Sequence, residues 1–204
     1  MDLYIRPLTI DDLDRCETVE AAAFPPAEAA TREKIEYRLT VCPELCLGLF
    51  AREGKSSQGR VIRQGTTLAY NPSDTSNGND LIAHTISTKS ISSVVTDADM
   101  AVPHSWKTDP TATYDVGHQS EGKTITLHSL AVSPNSQKSG YGKTLMAYYI
   151  KHMIQAAQTE RISILTYDRL VSYYEKLGFT HHGKSQSEYA GVAWHDLSYE
   201  FNTA

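Results

Sequence analysis

Apolar residues recur along this chain in two rhythms, one of strands and one of helices. LYIRPL (3–8) reads as a short strand, and DDLDRCETVEAAAF then sets Leu13, Cys16 and Val19 three apart on one helical face. Thr9 with Asp12 resembles a capping box for that helix, and Phe24-Pro25-Pro26 stops it. Thr31 is placed to cap a second helix running to about Leu39, and CLGLFAR follows as a strand.

From Glu53 to Lys123 the texture turns polar. VIRQGTTLAY and LIAHTIST read as strands separated by NPSDTSNGND, which is almost all turn chemistry, and Pro103 to Lys123 reads as a long polar loop. Beyond it TLHSLAV is an apolar strand. Lys143 to Gln158 then carries Leu145, Met146, Tyr149, Ile150, Met153 and Ile154 at helical spacing. RISILTY is a strand, LVSYYEKLGF a short helix ending at Gly178, and WHDLSYEF a closing strand, with His181-His182 in an exposed turn between them. The order predicts a mixed αβ domain over residues 1–204, with a central sheet flanked by helices and a loop-rich section at 53–123.

Composition narrows the partners. A length of 204 residues with 40% hydrophobic content supports one substantial core. The net charge of −5 argues against nucleic acid or an anionic membrane as the main partner. No apolar run approaches the ~18 residues of a membrane span, and the N-terminus lacks a signal-like pattern. Cys16, Cys42 and Cys46 are an odd number in a spacing that does not read as a zinc site, so buried thiols in a reducing cytoplasm are expected. The histidines other than His128 show no ligand spacing, and no metal is expected.

The sharpest chemical signal is TLHSLAVSPNSQKSGYGKTL (126–145). Gly140 and Gly142 stand between an apolar strand and an amphipathic helix, where backbone N–H groups and the helix dipole favour an anion. Such a turn is either a phosphate cradle, with Lys143 adding charge, or a plain tight turn. The spacing fits neither the Walker loop nor the dinucleotide fingerprint.

QKSGYG (137–142) resembles the Q/R-x-x-G-x-G/A signature of the GNAT superfamily of acetyl-CoA-dependent N-acetyltransferases. Three further pieces, in order, resemble its arylalkylamine (serotonin) N-acetyltransferase branch: LTVCPELCLGLF (39–50), LHSLAV and VSYYEKLGF. The AFPPAE turn looks most like fungal members, some described as polyamine acetyltransferases. The resemblance implies a GNAT fold, with a mostly antiparallel twisted sheet and a splayed strand pair. It implies that acetyl-CoA is the donor, its pantetheine arm pairing with the backbone of Leu130, Ala131 and Val132. Its pyrophosphate would lie on the segment Gln137, Lys138, Ser139, Gly140, Tyr141, Gly142, Lys143 and Thr144.

An alkylammonium must lose a proton before it attacks a thioester, so a base near neutral pKa is needed. By the resemblance that base is His128, acting through water; a packed core histidine is the alternative. Thr126, on the same strand face, stands where animal members carry a second histidine. Tyr174 matches the family tyrosine that would protonate the departing thiolate, with plain burial as its alternative reading. Phe24, Pro25 and Trp194 fall where the branch surrounds its amine. The expected substrate is a small arylalkylamine, with a polyamine, a protein amine or a non-catalytic CoA sensor as rivals.

Overall fold

The computed structural model describes residues 3–52, 69–70, 80–109, 112, 114–156 and 158–201. The chain packs into two compact units, Met1–Ile86 with Ser129–Tyr149, and Ser87–His128 with Ile150–Ala204. Strands β4 (Asp80–Ser90) and β5 (Thr124–Val132) and helix α4 (Tyr141–Ala156) each contribute to both.

The first unit also holds β1 (Leu3–Pro7), α1 (Leu13–Ala23), α2 (Arg32–Val41), β2 (Leu47–Ala51) and the two-residue β3 (Ala69–Tyr70). β1 pairs antiparallel with β2 and parallel with β3, while β2 pairs antiparallel with β4. The predicted stripe of α1 is buried: Leu13, Cys16 and Val19 join Tyr4, Leu8, Ile35, Leu39, Phe50, Leu81 and Ala131 in one apolar cluster. Full burial of each such side chain favours folding by roughly 1.5–3 kcal/mol, so this stripe fixes the face α1 presents. A 3-10 turn, Ile10–Asp12, precedes α1, and the Thr9 amide donates to the Asp12 carboxylate at 3.0 Å. Thr31 caps α2 by accepting from the Lys34 amide. Cys16, Cys42 and Cys46 are buried thiols.

Asp12 does more than cap. Its carboxylate lies 2.6 and 2.8 Å from the two terminal nitrogens of Arg6 and 3.0 Å from Arg15. Burial alone would raise its pKa, but the hydrogen bonds from Arg6 and Thr9 prevail and hold it below the usual carboxylate value. The Arg6 guanidinium also lies 3.9 Å from the Phe50 ring centroid.

The second unit adds α3 (Asp97–Met100), β6 (Arg161–Thr166), α5 (Val171–Glu175), β7 (Thr180–Lys184) and β8 (His195–Glu200). β8 pairs antiparallel with both β6 and β7. β5 and β6 pair in parallel from Thr124↔Arg161 to Leu127↔Ile164, while β5 itself continues to Val132, so the pairing stops before the strand does. That is the splayed pair of the expected fold. Among the described residues, hydrogen bonding links these strands in the order β3-β1-β2-β4-β5-β6-β8-β7.

Several expectations need correction or a boundary. The long helix begins at Tyr141 instead of Lys143, and Ile154 is 44% exposed, although Leu145, Met146, Tyr149, Ile150 and Met153 are buried as predicted. His181 and His182 lie in strand β7, not in a turn, because Thr180–Lys184 pairs with β8. Residues 61–68 of VIRQGTTLAY and most of NPSDTSNGND lie outside the described residues. The stretch 101–123 has no helix or strand among its described residues, yet it is anchored: Trp106 is buried, and the Gln119 amide donates to Lys89 O. At Gly122 a Cβ would meet Ser90 O at 2.4 Å, so only glycine fits against that backbone.

Candidate active site

The site is built on β5, whose last residues alternate cleanly. Ser129 and Ala131 are buried, whereas His128, Leu130 and Val132 are half-buried on the other face. After Val132 a 3-10 turn, Pro134–Ser136, leads into QKSGYG and α4. Lys138 and Gly140 both take left-handed backbone, with φ of 61° and 85°. Left-handed residues in a turn aim successive N–H groups inward, and the first N–H groups of a helix have no acceptor inside it. The two features coincide here, since the Thr144 amide already bonds to Gly140 O at 3.0 Å as the first rung of the α4 ladder. This backbone fits a pyrophosphate. The side chains are otherwise engaged: Tyr141 is buried, Ser139 Oγ donates to Gln137 O, and Gln137 Nε2 donates to Val132 O at 3.1 Å. The groups this segment leaves open to an anion are thus main-chain N–H groups and the exposed side chains of Lys138 and Lys143.

His128 Nε2 lies 2.8 Å from Thr88 Oγ1 on β4, and its Nδ1 lies 3.1 Å from the Met100 sulfur at the end of α3. A thioether is only a weak acceptor, so these partners suit the tautomer with the proton on Nδ1 and the Thr88 hydroxyl donating to Nε2. Nε2 is then the basic atom. Thr126 is fully buried, and its Oγ1 has no hydrogen-bond partner.

Tyr174 on α5 is 8% exposed and stands edge-on to Tyr173 and Phe179, with centroids 5.0 and 5.5 Å away. Burial first, then the neighbouring Tyr173, raises its pKa far above the ordinary phenol value, which keeps it a proton donor. Gly178 ends this turn at φ 97°, its amide bonded to Glu175 O. Phe24 packs partly on the apolar cluster of the first unit. Pro25 O accepts from the Glu28 and Ala29 amides, making 25–29 a closed turn. Trp194, in the second unit, is buried, donates its indole N–H to Tyr189 O at 2.8 Å and lies 5.1 Å from the Tyr167 ring.

Residues 72–201 match the profile of a family described as the acetyltransferase (GNAT) domain. The chain belongs to the GNAT acetyltransferase family. A serotonin N-acetyltransferase from Mesocricetus auratus is 36% identical over 62 residues, a stretch that is 30% of this chain and 30% of that protein. The match thus spans about a third of the relative's length. Among solved structures, the loading GNATL domain of CurA from Lyngbya majuscula superposes with a TM-score of 0.66 at 11% identity, covering 100% of both chains. The PaiA N-acetyltransferase from Thermoplasma acidophilum, in complex with coenzyme A, gives 0.57 at 15% identity over 98% of this chain and 100% of that one. These likenesses establish the GNAT fold. A loading domain and an N-acetyltransferase share it, so the backbone plan does not by itself select a reaction.

Within this GNAT chain the structure adds a group that sequence reasoning missed. Glu20, His84 and Ser129 are all buried and meet at one carboxylate. Ser129 Oγ donates to Glu20 Oε2 at 2.6 Å, His84 Nε2 lies 3.0 Å from the same oxygen, and the Ala30 amide donates to Oε1 at 3.0 Å. Burial alone would raise the Glu20 pKa; the hydrogen bonds from His84, Ser129 and Ala30 prevail and lower it. The available signal was a glutamate one residue beyond the buried Val19, on the core face of α1. Among the described residues no group of three or more His, Cys, Asp or Glu is arranged to hold a metal ion, and no helix is long and apolar enough to cross a membrane.

Proposed function

We propose that this chain is an acetyl-CoA-dependent N-acetyltransferase that acetylates the primary amine of a small arylalkylamine by direct attack in a ternary complex. The observation that carries the reading is the continuity of β5 into the left-handed turn at Lys138 and Gly140, with His128 on the same strand. A strand edge at Leu130, Ala131 and Val132 suits the amides of a pantetheine arm, and the helix start suits its pyrophosphate. Acetyl-CoA, when bound, supplies an activated thioester.

His128 Nε2, hydrogen-bonded to Thr88, takes the ammonium proton through water, and Thr88 can rotate from donor to acceptor as the ring becomes charged. The freed amine attacks the thioester carbonyl carbon, a C–N bond forms, the C–S bond breaks, and the second proton lost by the nitrogen replaces, through water, the one that Tyr174 gives to sulfur. Tyr174, kept protonated by burial, serves the leaving sulfur as proton donor. Phe24 and Pro25 of the first unit, and Trp194 of the second, are each assigned to the amine, an aromatic ring being suited to an indole or phenyl group. The buried thiols offer no exposed nucleophile, which favours direct transfer over an acyl-cysteine route.

The test is CoA release from acetyl-CoA with tryptamine, phenylethylamine, spermidine, spermine and a lysine peptide. Arylalkylamines leading in kcat/KM support the reading. Polyamines leading would replace it with a cation-selecting site, and acetyl-CoA binding without turnover of any amine would replace it with a sensor.

A further inference from the structure

Glu20 is a buried ionisable group with no part in the mechanism above, and its partners come from three separate segments. Its Oε1 takes the Ala30 amide, at the far end of the Phe24–Ala30 connection between α1 and α2. Its Oε2 takes Ser129 on β5, one residue before the proposed pantetheine edge, and faces His84 on β4. His84 Nε2 is also 3.2 Å from Ser129 Oγ, so the three side chains close a triangle. This is not a nucleophile triad. Both partners of His84 sit on Nε2, its Nδ1 has no partner, and Ser129 Oγ gives its proton to the carboxylate. An ionised carboxylate receiving three donors accounts for the arrangement, with the His84 Nε2–H as the third donor.

The connection thereby gains its hold. Residues 25–29 are closed by the Pro25 turn, Phe24 packs on the apolar cluster at one end, and Ala30 is tied to a buried charge at the other. Removing the carboxylate leaves the Ala30 amide without its acceptor but leaves β5 held by its own sheet pairing. We infer that Glu20 is a positioning residue that clamps the Phe24–Ala30 segment, the amine side of the site, to the strand that carries Ser129. The inference rests on the proposed function for the word amine; the clamp itself does not.

The experiment compares wild type, Glu20→Ala and Glu20→Gln by amide hydrogen exchange, amine KM and acetyl-CoA Kd. In wild type the Ala30 amide is expected to exchange slowly. Glu20→Ala is expected to speed exchange across 24–30 by about tenfold or more and to raise amine KM by about tenfold, with acetyl-CoA Kd within about twofold. Glu20→Gln, which keeps the shape and the Oε1 acceptor, should recover most of both. The clamp is overturned by a rapidly exchanging Ala30 amide in wild type, by unchanged exchange at 24–30 in Glu20→Ala, or by amine KM and acetyl-CoA Kd rising together. If Glu20→Ala does not fold, the wild-type Ala30 amide and the Glu20→Gln profile decide. Wild type that binds acetyl-CoA but acetylates no amine removes the functional reading, while the exchange data still judge the clamp.

Discussion

Thr88 Oγ1 stands 2.8 Å from His128 Nε2, a buried hydroxyl on β4 meeting a half-buried imidazole on β5. If His128 is the base, Thr88 orients it and must change hydrogen-bond role during each turnover. His128→Ala is expected to lower kcat by about 10²-fold or more, with the deficit shrinking as pH rises and free amine becomes available. Thr88→Val should lower kcat several-fold and leave acetyl-CoA Kd unchanged. Steady-state rates from pH 6 to 9 check both; a His128→Ala rate equal to wild type at low pH takes the histidine out of the mechanism.

Gly140 has φ of 85°, where a β-branched residue is strained at any spacing. Gly140→Val is expected to abolish measurable acetyl-CoA binding by calorimetry while the circular dichroism spectrum of the fold persists. Undiminished affinity would show that the turn does not hold the phosphates.

Tyr174 combines a buried ring with a hydroxyl, so one substitution separates packing from chemistry. Tyr174→Phe retains the ring contacts with Tyr173 and Phe179 and should leave Tm nearly unchanged while kcat falls about 10- to 100-fold. Tyr174→Ala should cost about 3–5 kcal/mol of stability as well. A Phe variant with full activity returns Tyr174 to the core alone.

Asp12 and Arg6 are a buried ion pair, and removing one partner strands the other. Asp12→Ala is expected to destabilise the fold by about 3–5 kcal/mol in urea melts near neutral pH. Because the folded pKa of Asp12 lies below its ordinary value, its contribution is present above that value and lost as pH falls through the folded one. The gap between wild type and variant should therefore narrow in acid; a gap that widens would contradict the assignment.

His118 offers a second pH test of opposite chemistry. Burial first, then Lys89, lowers its pKa from 6.5 to about 4, and its Nδ1 accepts the Lys89 amide at 3.1 Å. Between those values the unfolded chain binds the extra proton, so stability is full above pH 6.5 and is lost as pH falls towards 4. His118→Asn should flatten that part of the stability profile, and an unchanged slope would place the titration elsewhere.

Local pattern carried much of this protein. Helical spacing found α1 and most of the buried face of α4, the Thr31 cap marked α2, and QKSGYG marked the turn at the helix start, because each is a property of near neighbours. Strand β7 was illegible: THHGK has no apolar alternation, and its two histidines become a strand only by pairing with β8. The loop expected at 103–123 was legible but not its anchoring, since the acceptors that hold it lie on β4 and α3.

The sequence by itself determined most of the element types and the family signature, and it singled out His128 and Tyr174 as candidates. Only the tertiary structure decided which polar residues are shielded and what they meet. Thr88 lies 40 positions from His128, and Ser129 lies 109 from Glu20. No periodicity encodes such distances, because burial and hydrogen-bond partners arise when strands and helices remote in sequence are packed together and water is excluded from the groups between them.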